Sequence, residues 1–355
     1  MFQDGKKVVE RNFGIKAMAC NLMSATKSFT ALAVGFLMDE GKLTMDTPIS
    51  QLFPEYRGGL KSKVTVRHIM EHTSGIKLWD NEPLLKLENL KSRVKDALDA
   101  PIFTEPGKTF AYNNRATNLL SGVVRKASGK KMDDYLREKL FKPMGIEFFW
   151  FRDTAGDPHG CAELYLRPVD MAKVGQMVMD GGVWEGKRLL SESFIKEMTV
   201  DKGHGADCGW LWWVEKRLYG YNKFLMDQLQ EIGASEPLKA KLKPLMGSWY
   251  DKGDWAGEAI TRQLGTGPLM KEFFEKTEKK GFDTQYLTSF RTITDEPAGF
   301  AARGWGGQYI LVLPKSKIVA VRTCGWVKDF EKDSFRYEMP DFVGLVRALD
   351  PKFNE

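Results

Sequence analysis

Ser24-Ala25-Thr26-Lys27, running on into Ser28-Phe29-Thr30-Ala31-Leu32-Ala33-Val34-Gly35-Phe36-Leu37, sets a hydroxyl nucleophile and an amine one helical turn apart at the head of an apolar stretch. Residues at i and i+3 share a helix face, so the Lys27 amine can sit beside the Ser24 hydroxyl. Serine attacks poorly at neutral pH unless a neighbouring base takes its proton. An amine can be that base only in its neutral form, which burial or nearby cations favour. Phe29, Leu32, Ala33, Phe36 and Leu37 recur at helical spacing, and Gly41 supplies a stop after Asp39-Glu40. Asn21 is a candidate cap. Ser24 is therefore expected in or near the first turn, where backbone N–H groups and the helix dipole favour the negative charge its attack creates.

Two further constellations supply partners. Pro106-Gly107-Lys108-Thr109-Phe110-Ala111-Tyr112-Asn113-Asn114 is a turn that delivers Tyr112-x-Asn114 to the start of the apolar run Leu119-Leu120-Ser121-Gly122-Val123-Val124. A tyrosine beside a lysine can relay a proton from the serine and return it to a leaving group. An asparagine two residues on can hold a substrate amide and the lysine together. Arg303-Gly304-Trp305-Gly306-Gly307-Gln308 then enters the β-rich run Tyr309-Ile310-Leu311-Val312-Leu313-Pro314. Glycines entering a strand permit close approach of another backbone or a ligand. An edge strand along a cleft can offer N–H groups to an acyl oxygen.

In this order the three motifs resemble those of the serine β-lactamase and penicillin-binding protein superfamily, whose S-x-x-K signature Ser24 and Lys27 match. The resemblance is to the class C β-lactamase-like branch, which includes family VIII carboxylesterases, D-amino-acid-specific peptidases and 6-aminohexanoate-dimer hydrolases. It extends to Thr65–Gly75, to Leu166–Lys173 with Gly181-Gly182, and to Gly209–Val214, covering roughly Gly5 to Val214 and Phe300 to Gly325. It implies an antiparallel sheet flanked by helices plus an all-α lobe, an α+β fold with the active site between the lobes. It also implies Ser24 as acylated nucleophile, Lys27 as its base partner, Tyr112 as general base and acid, and Asn114 as the Tyr-x-Asn asparagine. Trp305-Gly306-Gly307 falls at the Lys-Thr-Gly site, and the oxyanion hole would be the N–H groups of Ser24 and Gln308. Where β-lactamases carry a cation for the substrate carboxylate, Trp305 offers none. The resemblance thus tilts toward a serine hydrolase of small esters or amides, without a cofactor. The alternative it leaves is a catalytically weak penicillin-binding-like or regulatory protein of the same fold.

A competing pattern is His68-Ile69-Met70-Glu71-His72, which matches the H-x-x-E-H zinc-protease motif. A catalytic zinc needs a third ligand, and only His159 and His204 remain as histidines. The family pattern absorbs His72 into a His-Thr-Ser-Gly turn that ends at Gly75, and no metal is expected.

The rest of the chain sets bounds. With 355 residues and 43% hydrophobic content, a large core is available. The net charge of +6 comes from dispersed basic residues, without the stripe a nucleic-acid groove shows. No apolar run reaches the ~20 residues of a membrane span. Cys20, Cys161, Cys208 and Cys324 fit neither a disulfide framework nor paired zinc ligands. Met1–Lys6 has no secretory apolar segment, so the cytoplasm is expected if Met1 is the native start, and an exported location if the chain is trimmed. A monomer or homodimer is expected.

Strand texture appears at Lys7–Phe13, Trp210–Val214, Tyr309–Leu313 and Ile318–Thr323. Helical texture appears at Leu119–Ala127, Met132–Leu140, Pro168–Asp180 and Asp341–Leu349. The expected division is a discontinuous α/β sheet domain, 1–61 and 183–355, around an all-α domain at 62–182. Residues 215–299 form an insertion, a lid or an oligomer contact, with amphipathic segments at Phe224–Ile232 and Leu269–Lys279 around an aromatic, Gly-rich middle, Gly247–Trp255.

Overall fold

The apolar stretch after Ser24 forms α1 (Thr26–Asp39), in which every side chain from Thr26 to Leu37 is buried. A helix shielded on all sides belongs at the centre of a core. A single 3-10 turn, Met23–Ala25, precedes it. Ser24 therefore stands in the tight turn feeding the helix; Asn21, expected as a cap, lies one residue too early for that and instead accepts the Met23 N–H at 2.8 Å. The computed structural model describes residues 1–12, 18–79, 90–204, 206–215, 217–220, 225–246, 249–250, 253–279, 291–293, 298–324 and 342–349.

Two compact units divide the chain, Met1–Val214 with Gly299–Tyr337, and Glu215–Ala298 with Glu338–Glu355. Residues 62–182 and the main sheet share the first unit, and the second takes in 338–355 as well as 215–298. In chain order the first unit carries β1 (Phe2–Gln3), β2 (Lys6–Lys7), β3 (Cys20–Asn21), α1, α2 (Ile49–Leu52), α3 (Val66–Met70), α4 (Arg93–Asp99), α5 (Asn114–Ser128) and α6 (Met132–Leu136). It continues with β4 (Phe149–Trp150), β5 (Leu164–Leu166), α7 (Pro168–Met179), β6 (Val183–Trp184), β7 (Lys187–Arg188), α8 (Glu192–Met198) and β8 (Trp213–Glu215). The second unit holds β9 (Arg217–Gly220), α9 (Leu225–Glu231), α10 (Glu236–Leu242), β10 (Trp249–Tyr250), α11 (Gly253–Leu264), α12 (Pro268–Lys279) and β11 (Arg291–Ile293). After it come β12 (Gly299–Gly304), β13 (Gln308–Leu313) and β14 (Ile318–Arg322) of the first unit, then α13 (Phe342–Ala348) of the second.

The main sheet runs β2-β1-β14-β13-β12-β8, with antiparallel pairing from β2 through to β12. Helix α7 lies on β13 and β14. Gly175 makes that approach possible, since a Cβ there would stand 2.6 Å from Val319 and 2.7 Å from Ile310 side-chain atoms. At the other edge, Asp4 and Gly5 both take left-handed φ values, 49° and 73°, the signature of a two-residue hairpin. The hairpin replaces the strand expected at Lys7–Phe13: pairing ends at Lys7, residues 8–12 form no strand, and Phe13 lies outside the described residues.

The helical stretch 62–182 also contributes strands. β5 pairs with both β3 and β4, tying the segment just before Ser24 to residues 149–150 and 164–166. The helix expected over Met132–Leu140 is α6 followed by a π-helical turn, Arg137–Phe141. Within the second unit, Leu225, Leu229, Leu238, Leu242, Ile260 and Phe273 belong to a separate apolar core. Phe224, Asp341 and positions 247, 248, 251 and 252 of the aromatic middle lie outside the described residues. No helix among those described is long and apolar enough to cross a membrane.

Candidate active site

The two residues of the first motif meet as their spacing requires. Lys27 Nζ donates to Ser24 Oγ at 3.1 Å and to the Cys161 carbonyl at 2.9 Å. Only 3% of Lys27 is exposed, so the amine is aimed by these contacts and not by solvent. The turn that carries Ser24 is strained: Met23 holds φ at 49°, in a region non-glycine residues seldom adopt.

Tyr112 reaches the same place from the start of α5. Lys27 Nζ stands 4.8 Å from its ring centroid. Trp213 stacks on the ring at 6.0 Å with 21° between planes, and the Arg303 guanidinium lies 5.9 Å over Trp213. Asn113 caps α5 by accepting the Ala116 N–H at 2.9 Å and donates to the Ile76 carbonyl at 2.6 Å. His72 then brackets the tyrosine. Its carbonyl accepts the Ala111 N–H at 2.8 Å, its Nδ1 accepts the Asn113 N–H at 3.2 Å, and its ring packs 4.7 Å from the Tyr112 ring. An Nδ1 that accepts carries no proton, which fits a neutral imidazole. Burial, and secondarily the Lys27 charge, lower its pKa to about 3.

The third motif approaches through Gly304. A Cβ at this position would stand 2.1 Å from the Leu22 carbonyl oxygen and 3.1 Å from the Ala25 nitrogen. Only a glycine lets β12 pass so close to the Ser24 turn. Gly306 and Gly307 (φ 74° and 76°) form with Trp305 the loop that returns the chain to β13. Trp305 is 40% exposed. The buried Gln308 uses its side chain to hold Cys324, donating to its carbonyl at 2.9 Å and accepting its N–H at 3.1 Å. Asn114 is the first residue of α5, and its buried Oδ1 has no hydrogen-bond partner among the described residues.

Ser24, Lys27, Ser28, His72, Tyr112, Cys208, Leu211, Trp213 and Arg303 line one cavity of about 10 Å³, room for about one water. Asn114, Trp305, Gly306, Gly307 and Gln308 do not line it. Cys208 is no rival nucleophile there, because burial pushes its thiol up to about 12. Arg303, which opens the third motif, supplies the cavity wall with a cation. Trp213 lay inside a quoted motif without an assigned task, and His72 was given only a place in a turn. Cys161 acts through its carbonyl, which no side-chain pattern signals.

The zinc-type pattern is taken apart by local structure. α3 ends at Met70 and His72 has φ 57°, so the two histidines do not share a helix face. His68 Nδ1 accepts the Thr65 N–H in a capping box. Glu71 accepts from His204 at 2.9 Å and from Trp210 at 3.1 Å.

Esterase EstB of Burkholderia gladioli is 29% identical over 203 residues, 52% of this chain and 47% of its own length. PbpX of Bacillus subtilis, named a penicillin-binding protein provisionally, is 23% identical over 190 residues, 46% of this chain and 47% of its own. The chain thus spans about half the length of these curated relatives. Among solved structures, a Bacteroides dorei protein provisionally named a beta-lactamase superposes with a TM-score of 0.66 at 16% identity, over 100% of this chain and 92% of that one. A Bacillus anthracis protein provisionally named a 6-aminohexanoate-dimer hydrolase gives 0.62 at 16%, over 98% and 78%. These likenesses show the α+β fold, an antiparallel sheet with flanking helices. With the Beta-lactamase family model matching residues 2–333, the chain belongs to the Beta-lactamase family.

Proposed function

We propose that this protein is a serine hydrolase that acts through an acyl-enzyme on a small ester or amide. The observation that carries the reading is the 3.1 Å contact between the buried Lys27 amine and Ser24 Oγ, beneath the Tyr112 ring. Ser24 Oγ attacks the acyl carbon while its proton passes to the Lys27–Tyr112 pair. The oxyanion is held by the Ser24 N–H and by a second donor from the turn ending at Gln308. Collapse expels the alcohol or amine, which takes the proton back through Tyr112. Water then attacks the ester on Ser24, gives a proton to the same pair, and releases the acid with Oγ reprotonated. The relative named an esterase supports ester substrates.

Ser24→Ala should abolish both turnover of p-nitrophenyl acetate and labelling by a fluorophosphonate. Mass spectrometry locating the adduct on another residue overturns the assignment. Trp305 sets the expected preference for uncharged acyl donors. Trp305→His should lower kcat/KM for the ester and raise it for nitrocefin. Parent turnover of nitrocefin at about 10⁶ M⁻¹s⁻¹ or more would instead make Arg303 the cation that serves a substrate carboxylate. Stable labelling of Ser24 without turnover of any ester, amide or β-lactam would favour a penicillin-binding role.

A further inference from the structure

Lys27 has two acceptors, and the second is itself held from behind. The Cys161 N–H donates to Asn118 Oδ1 at 3.2 Å, while the carbonyl of the same residue accepts from Lys27 Nζ at 2.9 Å. Asn118 lies one turn beyond Asn114 on α5 and is 1% exposed. The adjoining Gly160 carbonyl accepts from Thr30 Oγ1 of α1 at 2.7 Å. Gly160 also has no room for a side chain, since a Cβ would stand 2.6 Å from the Thr117 carbonyl oxygen. The Gly160-Cys161 segment is therefore pinned between the helix that carries Lys27 and the helix that begins beside Tyr112.

What Asn118 supplies here is an acceptor for the Cys161 N–H. Its Nδ2 is buried without a hydrogen-bond partner among the described residues. Leucine, of similar size, would spare that group but leave the buried Cys161 N–H without its acceptor. We propose that Asn118 is a positioning residue for Lys27, acting through the peptide of Cys161. Asn118 fixes that peptide, its carbonyl fixes the direction of the amine, and the remaining Lys27 hydrogen bond falls on Ser24 Oγ. Misplacing a reacting group by ~1 Å can cost about 10²-fold in rate.

The inference rests on the hydrolase reading, and the experiment keeps the two apart. Fluorophosphonate labelling (kinact and KI) and p-nitrophenyl acetate turnover (kcat and KM, per titrated active site) are measured for the parent, N118L, N118D and T30V. Circular dichroism checks folding. N118L should lose about 10²-fold in kinact and kcat with KI and KM little changed. N118D keeps an acceptor oxygen and should recover most of that loss. Unchanged rates in a folded N118L, or an N118D as slow as N118L, overturn the proposal. Should N118L fail to fold, T30V decides. It loosens the same segment from the other side, so a fall in kcat at constant KM supports the role and an unchanged kcat overturns it. A parent that no reagent labels at Ser24 sinks the hydrolase reading and this one together. Normal parent labelling with an unaffected N118L sinks only the role of Asn118.

Discussion

His72 shows how much a single buried side chain can hold in place. Its carbonyl and ring nitrogen grip the residues on either side of Tyr112. Its pKa of about 3 in the folded chain compares with 6.5 when exposed. Between those values the unfolded chain binds a proton that the folded chain does not. The contribution is therefore complete above about pH 6.5 and is lost as pH falls toward 3. His72→Asn should remove this dependence, because asparagine tolerates the left-handed backbone and can offer Oδ1 to the Asn113 N–H. Urea midpoints at pH 4 and pH 7 test it: a smaller drop is expected in the variant, and equal drops would show that His72 does not govern the acid response. The meeting of Ser24, Lys27 and Tyr112 was legible in the sequence because the motifs are written in their side chains. Cys161 and Asn118 were not, since one works through a carbonyl and the other through a neighbour's main chain.

Close approach of β12 to the Ser24 turn is the decisive event among the elements. Gly304→Ala would press a Cβ against the Leu22 carbonyl oxygen, backbone against which no flexible side chain can give way. The expected result is a loss of roughly 1–3 kcal/mol in stability, together with about 10²-fold in kcat as the turn is displaced. A urea titration and ester kinetics measure both, and a parent-like kcat would show that the turn tolerates the shift. The sequence credited the glycines of 304–307 together with close approach; Gly304 makes it, while Gly306 and Gly307 curve the loop. Long elements such as α1, α5 and α7 were legible from apolar periodicity. β3 and β4 span two residues each, too few for alternation to show, and the β1–β2 hairpin turned on a lone Asp-Gly pair.

Viewed at the size of the whole molecule, the chain supports two cores, and the serine, lysine and tyrosine belong with the first. Leu229→Ala should cost the second core about 2–5 kcal/mol while fluorophosphonate still labels Ser24 at the parent rate. A slower rate in that variant would instead support residues 215–299 as a lid. Recognisable motifs stop at Val214 and resume at Phe300, and the stretch between them follows no pattern those motifs contain.

The complete enclosure of α1 has a consequence for how the protein fails. A helix shielded on every side can exchange its amide hydrogens only when the surrounding structure opens with it. Deuterium should therefore enter residues 29–37 last of all the first unit, at a rate set by global opening. Because Ser24, the proposed nucleophile, is mounted at the entrance to that helix, loss of ester turnover in urea should coincide with loss of the fold and not precede it.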